Sequence, residues 1–453
     1  GYHGRRLAER LGKAGVVVIL EPDLALLRAV FERIDMTAWL SRSLTVWITD
    51  PDNRAALARK MHNAEAIIAQ GLHVLEHPPS AERLRDAAPR FTAALAELVT
   101  NARTTLLTTL VRSVDTVRNL LLNLDHYAGG SGIGDLANAA AGQLGIVVSA
   151  GPSLRRNMHL LAAPGVRERC VIIATQTTLR PLLEAGVRPH FVTALDYHEI
   201  SKRFYEGLDA EDVSGVTLVA DPKAHPVILD AFPGAVRCCA SPVLDQVLGP
   251  LARPMGTLPP GATVAHLAYA LGRHLGCDPI ALVGQDLGFT DGLYYARGTA
   301  IDDVWAPELN PFNTMEMMEW QRIVRHRAVL RKTVDVHGRS IYTDQQMLAY
   351  LQQFEREFAA DAERGRTTID ATEGGVAKAH TVVQPLREAL DRYANEPVAL
   401  PPPPSRTLDT RRLEQVKQRV ERLLIEVEEL RSAADESRAV LDQMVEHQRD
   451  SVR

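Results

Sequence analysis

The chain has 453 residues, enough for about three domains at roughly 150 residues each. Hydrophobic residues make up 46% and charged residues 24%, a globular composition that excludes disorder over the whole length. A net charge of -5 gives no general attraction to nucleic acid or anionic membrane, and four cysteines without a CxxC pair make neither a disulfide scaffold nor a zinc motif. No apolar run reaches membrane-spanning length. A cytoplasmic protein that binds neither nucleic acid nor membrane is expected.

Residues 1–75 read as a small N-terminal α/β domain. Gly4–Leu11 has a helical pattern, Gly15–Leu20 reads as a buried strand, Leu24–Ile34 as a helix and Leu44–Thr49 as a second strand. Glu21-Pro22-Asp23 follows the first strand, where an acid can hold a ribose hydroxyl. The glycine loop that would accompany it is reduced to Gly1 and Gly4, and the alternative is plain α/β scaffold. Residues 76–140 form a helical connector with few breakers from Phe91 to Leu124. Gly129–Gly134 reads as a flexible hinge.

Residues 141–376 carry the regular alternation. Gly145–Ser149, Cys170–Ala174, Phe191–Leu195, Val216–Ala220 and Ile280–Gly284 are apolar strand-like runs, separated mostly by helical stretches such as Leu179–Glu184 and Val264–Leu275. That pattern predicts an α/β fold with a central, doubly wound, mostly parallel sheet covered on both faces. Ligands bind beyond the carboxyl ends of such strands. Residues 377–453 are helical after the Pro401–Pro404 spacer. Leu413, Val416, Val420, Leu423, Val427, Leu430, Ala434, Ser437, Leu441 and Met444 alternate at spacings of three and four. The seam fits a coiled coil through which the chain self-associates or a helical hairpin, the alternative being one long helix lying on its own body.

Candidate site residues follow the strands. Gly151, Pro152 and Ser153 stand between a strand and a helix, where glycine permits close approach, proline suits the first turn and free amides attract phosphate. Thr175, Gln176 and Thr177 can hydrogen-bond a base or ribose, or cap a helix. Asp196 can hold a hydroxyl, a metal or an amine, or cap the next helix. Thr263 opens another anion-ready helix. Gln285 and Asp286 end the last apolar strand, and Tyr294 and Tyr295 follow, as phosphate ligands or as packed aromatics.

The stretches Gly145–Leu154, Pro189–Asp196, Pro279–Leu287 and Asp370–Gly375 occur in that order. Together they resemble the domain shared by bacterial motility-accessory factor (Maf) flagellin glycosyltransferases and the archaeal 6-hydroxymethylpterin pyrophosphokinase MptE. The likeness covers about Gly145 to Gly375. Gly1–Gly4 and Leu20–Asp23 resemble the segment preceding this domain in Maf proteins, so a further N-terminal portion is expected before Gly1, and the length favours the Maf side.

The resemblance implies a Rossmann-like, sialyltransferase-like fold and transfer of a nonulosonic acid from a CMP-activated donor to serine or threonine of flagellin. The donor is a substrate, so neither a cofactor nor a metal is implied. In the related sialyltransferases an asparagine stands where this chain has Ala150, so one contact is absent. By the same resemblance Gln176 lies in the nucleotide-contacting turn and Tyr295 near the donor phosphate. His337 lies in the region of the catalytic base, with Asp196 and Asp286 as alternative base or metal positions. His337 also fits a plain surface turn. The rival readings are a diphosphokinase using ATP, Mg2+ and a pterin alcohol, and a non-catalytic scaffold whose heptads bind a partner.

Overall fold

The computed structural model describes residues 2–12, 15–41, 45–53, 57, 60–61, 65–325 and 327–451. Gly1 and Leu44, invoked above, lie outside the described residues. The chain divides into two compact units, residues 1–114 and 115–453. Among the described residues no helix is long and apolar enough to cross a membrane.

In the first unit, β1 (Val17–Leu20) and β2 (Thr45–Ile48) pair in parallel, Val17 opposite Thr45. Trp39, Met36 and Val17 are buried in one cluster, and Ile48, Leu57, Phe91 and Leu95 in another. The acids after β1 serve the fold. Asp23 caps the helix Leu24–Arg33 by accepting from the Leu26 amide at 2.9 Å. Glu21 accepts from the Asp23 amide at 3.0 Å and from the Arg83 guanidinium at 2.7 Å.

The second unit is built on nine strands. They are β3 (Ser131–Gly132), β4 (Gly145–Val148), β5 (Val171–Thr175), β6 (Phe191–Ala194), β7 (Thr217–Ala220), β8 (Ala235–Cys238), β9 (Ile280–Val283), β12 (Thr368–Asp370) and β13 (Val382–Val383). Their order is β13-β12-β9-β4-β5-β6-β7-β8-β3, and every neighbouring pair is parallel. A separate antiparallel hairpin joins β10 (Leu330–Val334) to β11 (Ser340–Asp344).

The five apolar runs are strands because both of their faces are covered. Alternate residues of a strand point to opposite faces. Ile146 and Val148 pack with Leu154, Leu160 and Leu386, whereas Val147 packs with Leu267, Leu271 and Phe354. The helices Leu154–Leu161 and Leu386–Tyr393 thus cover one face, and Val264–His274 and Gln345–Glu363 the other. From β4 to β8 each strand is added beside the last, and the chain then returns to lay β9 on the far side of β4. Successive connections therefore diverge between β4 and β9, which defines the topological switch point.

Two expectations change here. Gly129–Gly134 is a sheet edge and not a loose hinge. Ser131–Gly132 pairs with β8, the Ile133 amide donates to the Met255 carbonyl at 2.6 Å, and a Cβ on Gly132 would lie 2.5 Å from that oxygen. The missing side chain is used for close backbone approach. The heptad seam is divided on the single helix Thr410–Ser451. Leu413, Val416 and Val420 pack into the cluster of Tyr127 and Leu244, whereas Val427, Leu430, Leu441 and Met444 are exposed.

At the end of β12, Lys378 Nζ donates to Asp370 Oδ2 at 2.9 Å, and both side chains are fully buried. Lys378→Met would strand the carboxylate, and it is expected to cost about 3–5 kcal/mol, as for other broken buried pairs. Thermal unfolding checks this, and a melting temperature equal to that of the parent would contradict it.

Candidate active site at the carboxyl edge of the sheet

The floor of the switch point is closed by three glycines. The Gly151 amide donates to the Gly284 carbonyl at 2.8 Å. A Cβ on Gly151 would lie 2.1 Å from Asp286 Oδ2 and 2.4 Å from the Gly284 oxygen. Gly284 has φ +68°, and a Cβ there would meet the Ser149 oxygen at 2.1 Å. Gly375, with φ +72°, would bring a Cβ within 2.4 Å of the Asp286 backbone. The loops after β4, β9 and β12 touch backbone to backbone.

Asp286 fills the space between them. Ser153 Oγ donates to its Oδ2 at 2.7 Å, the Ser153 amide is shared between its two oxygens at 3.3 Å, and the Thr290 hydroxyl donates to Oδ1. Burial pushes the Asp286 carboxyl upward in pKa, against the bonds from Thr290 and Ser153 and the charge of Lys378. Ser153 is fully buried and Asp286 nearly so. The anion at the start of helix Leu154–Leu161 is therefore the chain's own carboxylate. The Ser153 hydroxyl donates to Asp286, and both Asp286 oxygens accept from neighbouring side chains. Gly151 serves close packing, with Pro152 beside it in the same turn. Gln285 is also engaged, its Oε1 accepting from Ser149 Oγ at 2.6 Å.

A second group lies after β5 and β6. Gln176 is fully buried, donates through Nε2 to Asp196 Oδ2 and accepts at Oε1 from the Tyr205 hydroxyl at 3.2 Å. Ser201 Oγ donates to the same Asp196 oxygen at 3.1 Å. Each end of its amide makes one bond, so Gln176 orients Asp196 and keeps a second N–H and a second lone pair. Burial raises the Asp196 pKa, opposed by Ser201, His198 and Gln176. Asp196 is only partly buried, so this carboxylate reaches the edge of the site.

The third group is the segment after Gly292. The Ala296 amide donates to the Ala150 carbonyl at 2.8 Å, which fixes Tyr294 and Tyr295 beside the turn after β4. The two tyrosine rings meet edge to face at 4.7 Å. Arg322, from helix Met315–Arg325, lies 3.9 Å from the Tyr294 centroid, 5.4 Å from Tyr295 and 5.8 Å from Trp305. The sequence analysis missed Arg322 and Glu319, whose spacing is that of any amphipathic surface helix, and Trp305, which ends the separate short helix Ala300–Trp305.

Two expected residues stand apart. Thr263 caps helix Val264–His274 through the His266 amide, and its hydroxyl is 2.8 Å from His266 Nδ1. His266 stacks on Phe354, and burial lowers its pKa to about 4, so the ring is neutral. His337 occupies the exposed turn of the β10–β11 hairpin, where its amide donates to Asp335 Oδ1 at 2.9 Å. Its ring is bonded to none of the other candidates.

Gly151→Ala tests the interlocked floor. Overpacking of this kind costs about 1–3 kcal/mol or more, and the contact here is with backbone and a bonded carboxylate that cannot yield. The variant is expected to unfold at lower denaturant concentration, with an unchanged midpoint contradicting the reading.

Residues 118–292 match the family model described as 6-hydroxymethylpterin diphosphokinase MptE-like. The stretch runs from before β3 to just short of Tyr294. Among solved structures the fold is similar to that of the MAf glycosyltransferase from Magnetospirillum magneticum AMB-1, at 16% sequence identity and a TM-score of 0.50. The likeness covers 90% of this chain and 57% of that one, so the chain spans little more than half the length of that protein. No curated protein matches the sequence. The chain thus carries an MptE-like domain, on a fold shared with a Maf glycosyltransferase.

Proposed function

We propose that this protein is a cytoplasmic glycosyltransferase that moves a nonulosonic acid from a CMP-activated donor to a serine or threonine hydroxyl of flagellin. The observation that carries the reading is the Asp196 carboxylate. It stands at the end of a central strand, is raised in pKa by burial, and is oriented on one oxygen by Gln176 and Ser201. A carboxylate whose pKa is raised is a stronger base than a free one and suits general-base catalysis. The fold shared with a Maf glycosyltransferase supports the reaction class.

In this reading the acceptor oxygen attacks the anomeric carbon while the bond from that carbon to the phosphate oxygen breaks. The hydroxyl proton passes to Asp196, and the bonding electrons leave with CMP. The Tyr295 hydroxyl donates to the departing phosphate. Asp286 and Ser153 are positioning residues, holding the floor on which the donor rests. No step requires a metal.

The description of the matched family supports one rival, a pterin diphosphokinase using ATP and Mg2+. Calorimetry separates the two. Binding of CMP that persists in EDTA is expected. Binding of ATP only in the presence of Mg2+ would replace this reading with the rival, and binding of neither nucleotide would overturn both.

A second copy of this chain is the proposed partner of the exposed heptads. The seam covered at Leu413, Val416 and Val420 continues without interruption through Leu423, Val427, Leu430, Ala434, Ser437, Leu441 and Met444. In a parallel pair Glu426 of one helix would face Arg431 of the other across the seam, a favourable flanking contact. Light scattering is expected to give a dimer for the full chain and a monomer after removal of residues 423–453. A monomeric full chain would refute this pairing.

A further inference from the structure

Arg322 is a cation without a carboxylate. Among the described residues no Asp or Glu comes within ion-pair distance of it, and the neighbouring Glu319 instead accepts from the Tyr294 amide at 3.1 Å. The guanidinium is held by the rings of Tyr294, Tyr295 and Trp305. Ring faces attract a cation but take none of its in-plane hydrogen bonds. A guanidinium has five N–H donors, of which the Tyr295 hydroxyl can take one. The remaining N–H edge has the geometry that binds carboxylate or phosphate through two parallel hydrogen bonds.

Its location ties this cation to the site. The bond from Ala296 to Ala150 fixes the tyrosine pair against the turn after β4, and helix Met315–Arg325 packs Arg322 onto that pair. The Tyr295 hydroxyl is pushed up in pKa by burial and also by the charge of Asp196, and is pulled down by Arg322. Tyr295 thus feels both the negative charge of Asp196 and the fixed positive charge of Arg322. An anionic donor approaching Asp196 would be repelled unless a cation faced it.

We propose that Arg322 is a specificity-determining residue that binds an oxyanion of the donor, either the carboxylate of the sugar acid or the phosphate linking it to the nucleotide. This rests on the glycosyltransferase reading above and names the substrate class as acidic sugars carried on a nucleotide.

The test uses the full chain with CMP and with CMP-N-acetylneuraminic acid as probes, in calorimetry. Arg322→Gln is expected to weaken the nucleotide sugar by about 10–100-fold, the range for loss of hydrogen bonds to a charged group. Arg322→Lys keeps the charge without the fork and is expected to recover only part of that loss. Weakening of the nucleotide sugar alone assigns Arg322 to the sugar carboxylate, and equal weakening of CMP assigns it to the phosphate. Parent-like affinity for both probes in both variants would overturn the proposal while leaving the reaction class standing. Failure of the parent protein to bind either probe would instead remove the reading on which the proposal rests. Matching melting temperatures for parent and variants establish that any loss is local.

Discussion

The carboxyl edge of the sheet depends on one buried carboxylate. Taking an ionised acid out of water costs several kcal/mol unless its oxygens are filled. Asp286 meets that requirement with two hydroxyls and an amide drawn from Ser153 and Thr290, and with Lys378 close enough to favour its charge. Those donors come from loops that follow different strands. The carboxylate therefore dictates how the loops after β4 and β9 approach, and Gly151, Gly284 and Gly375 are the residues that allow the approach. The result is a stiff floor beneath the switch point. It also has a chemical consequence. The positive end of helix Leu154–Leu161 is met from within by Asp286, which accepts from the Ser153 amide.

The five long strands were legible because each is a short apolar run buried on both sides, and helices separate most of them. β3, β8, β12 and β13 were not. Ser131–Gly132 and Val382–Val383 are two residues each, and Thr368–Asp370 is three. Strands so short have no periodicity to detect, whereas β8 is as long as most of the legible strands but carries Arg237 in its apolar run. The hairpin β10–β11 was missed for a different reason. Its residues are mostly exposed or half-buried, so burial imposed no strict alternation on Leu330-Arg-Lys-Thr-Val334. The terminal heptads were read correctly as a helix, but periodicity alone does not say which turns of a seam meet the chain's own body.

At the site, position was more legible than role. Gly151, Ser153, Gln176, Asp196 and Asp286 were picked out because a polar or glycine residue directly after a buried strand must sit at the carboxyl edge. Whether such a residue faces a ligand or a neighbouring loop depends on contacts distant in sequence. Ser153 finds its acceptor 133 residues away in Asp286, and Gln176 finds one 20 residues away in Asp196. Arg322 was invisible for the same reason, since its meaning comes from rings at Tyr294, Tyr295 and Trp305.

These contacts sort the polar groups of the edge by their electrostatic work. Asp286 is paired on both oxygens and spends its charge on the fold. Asp196 is restrained on one oxygen and reaches the surface of the site, so its charge can act on a substrate. Arg322 is held by ring faces and by the Tyr295 hydroxyl, which leave most of its N–H donors unspent. A reaction that begins with a neutral hydroxyl and a doubly anionic donor, and that ends with a proton on a carboxylate and charge on a phosphate, needs this asymmetry. A base near the acceptor lowers the cost of losing the proton, and a fixed cation near the donor offsets the repulsion between that base and the incoming anion. Both effects are strongest where water is excluded. The Tyr294–Tyr295 pair is half-buried, and the Tyr295 hydroxyl senses both charges.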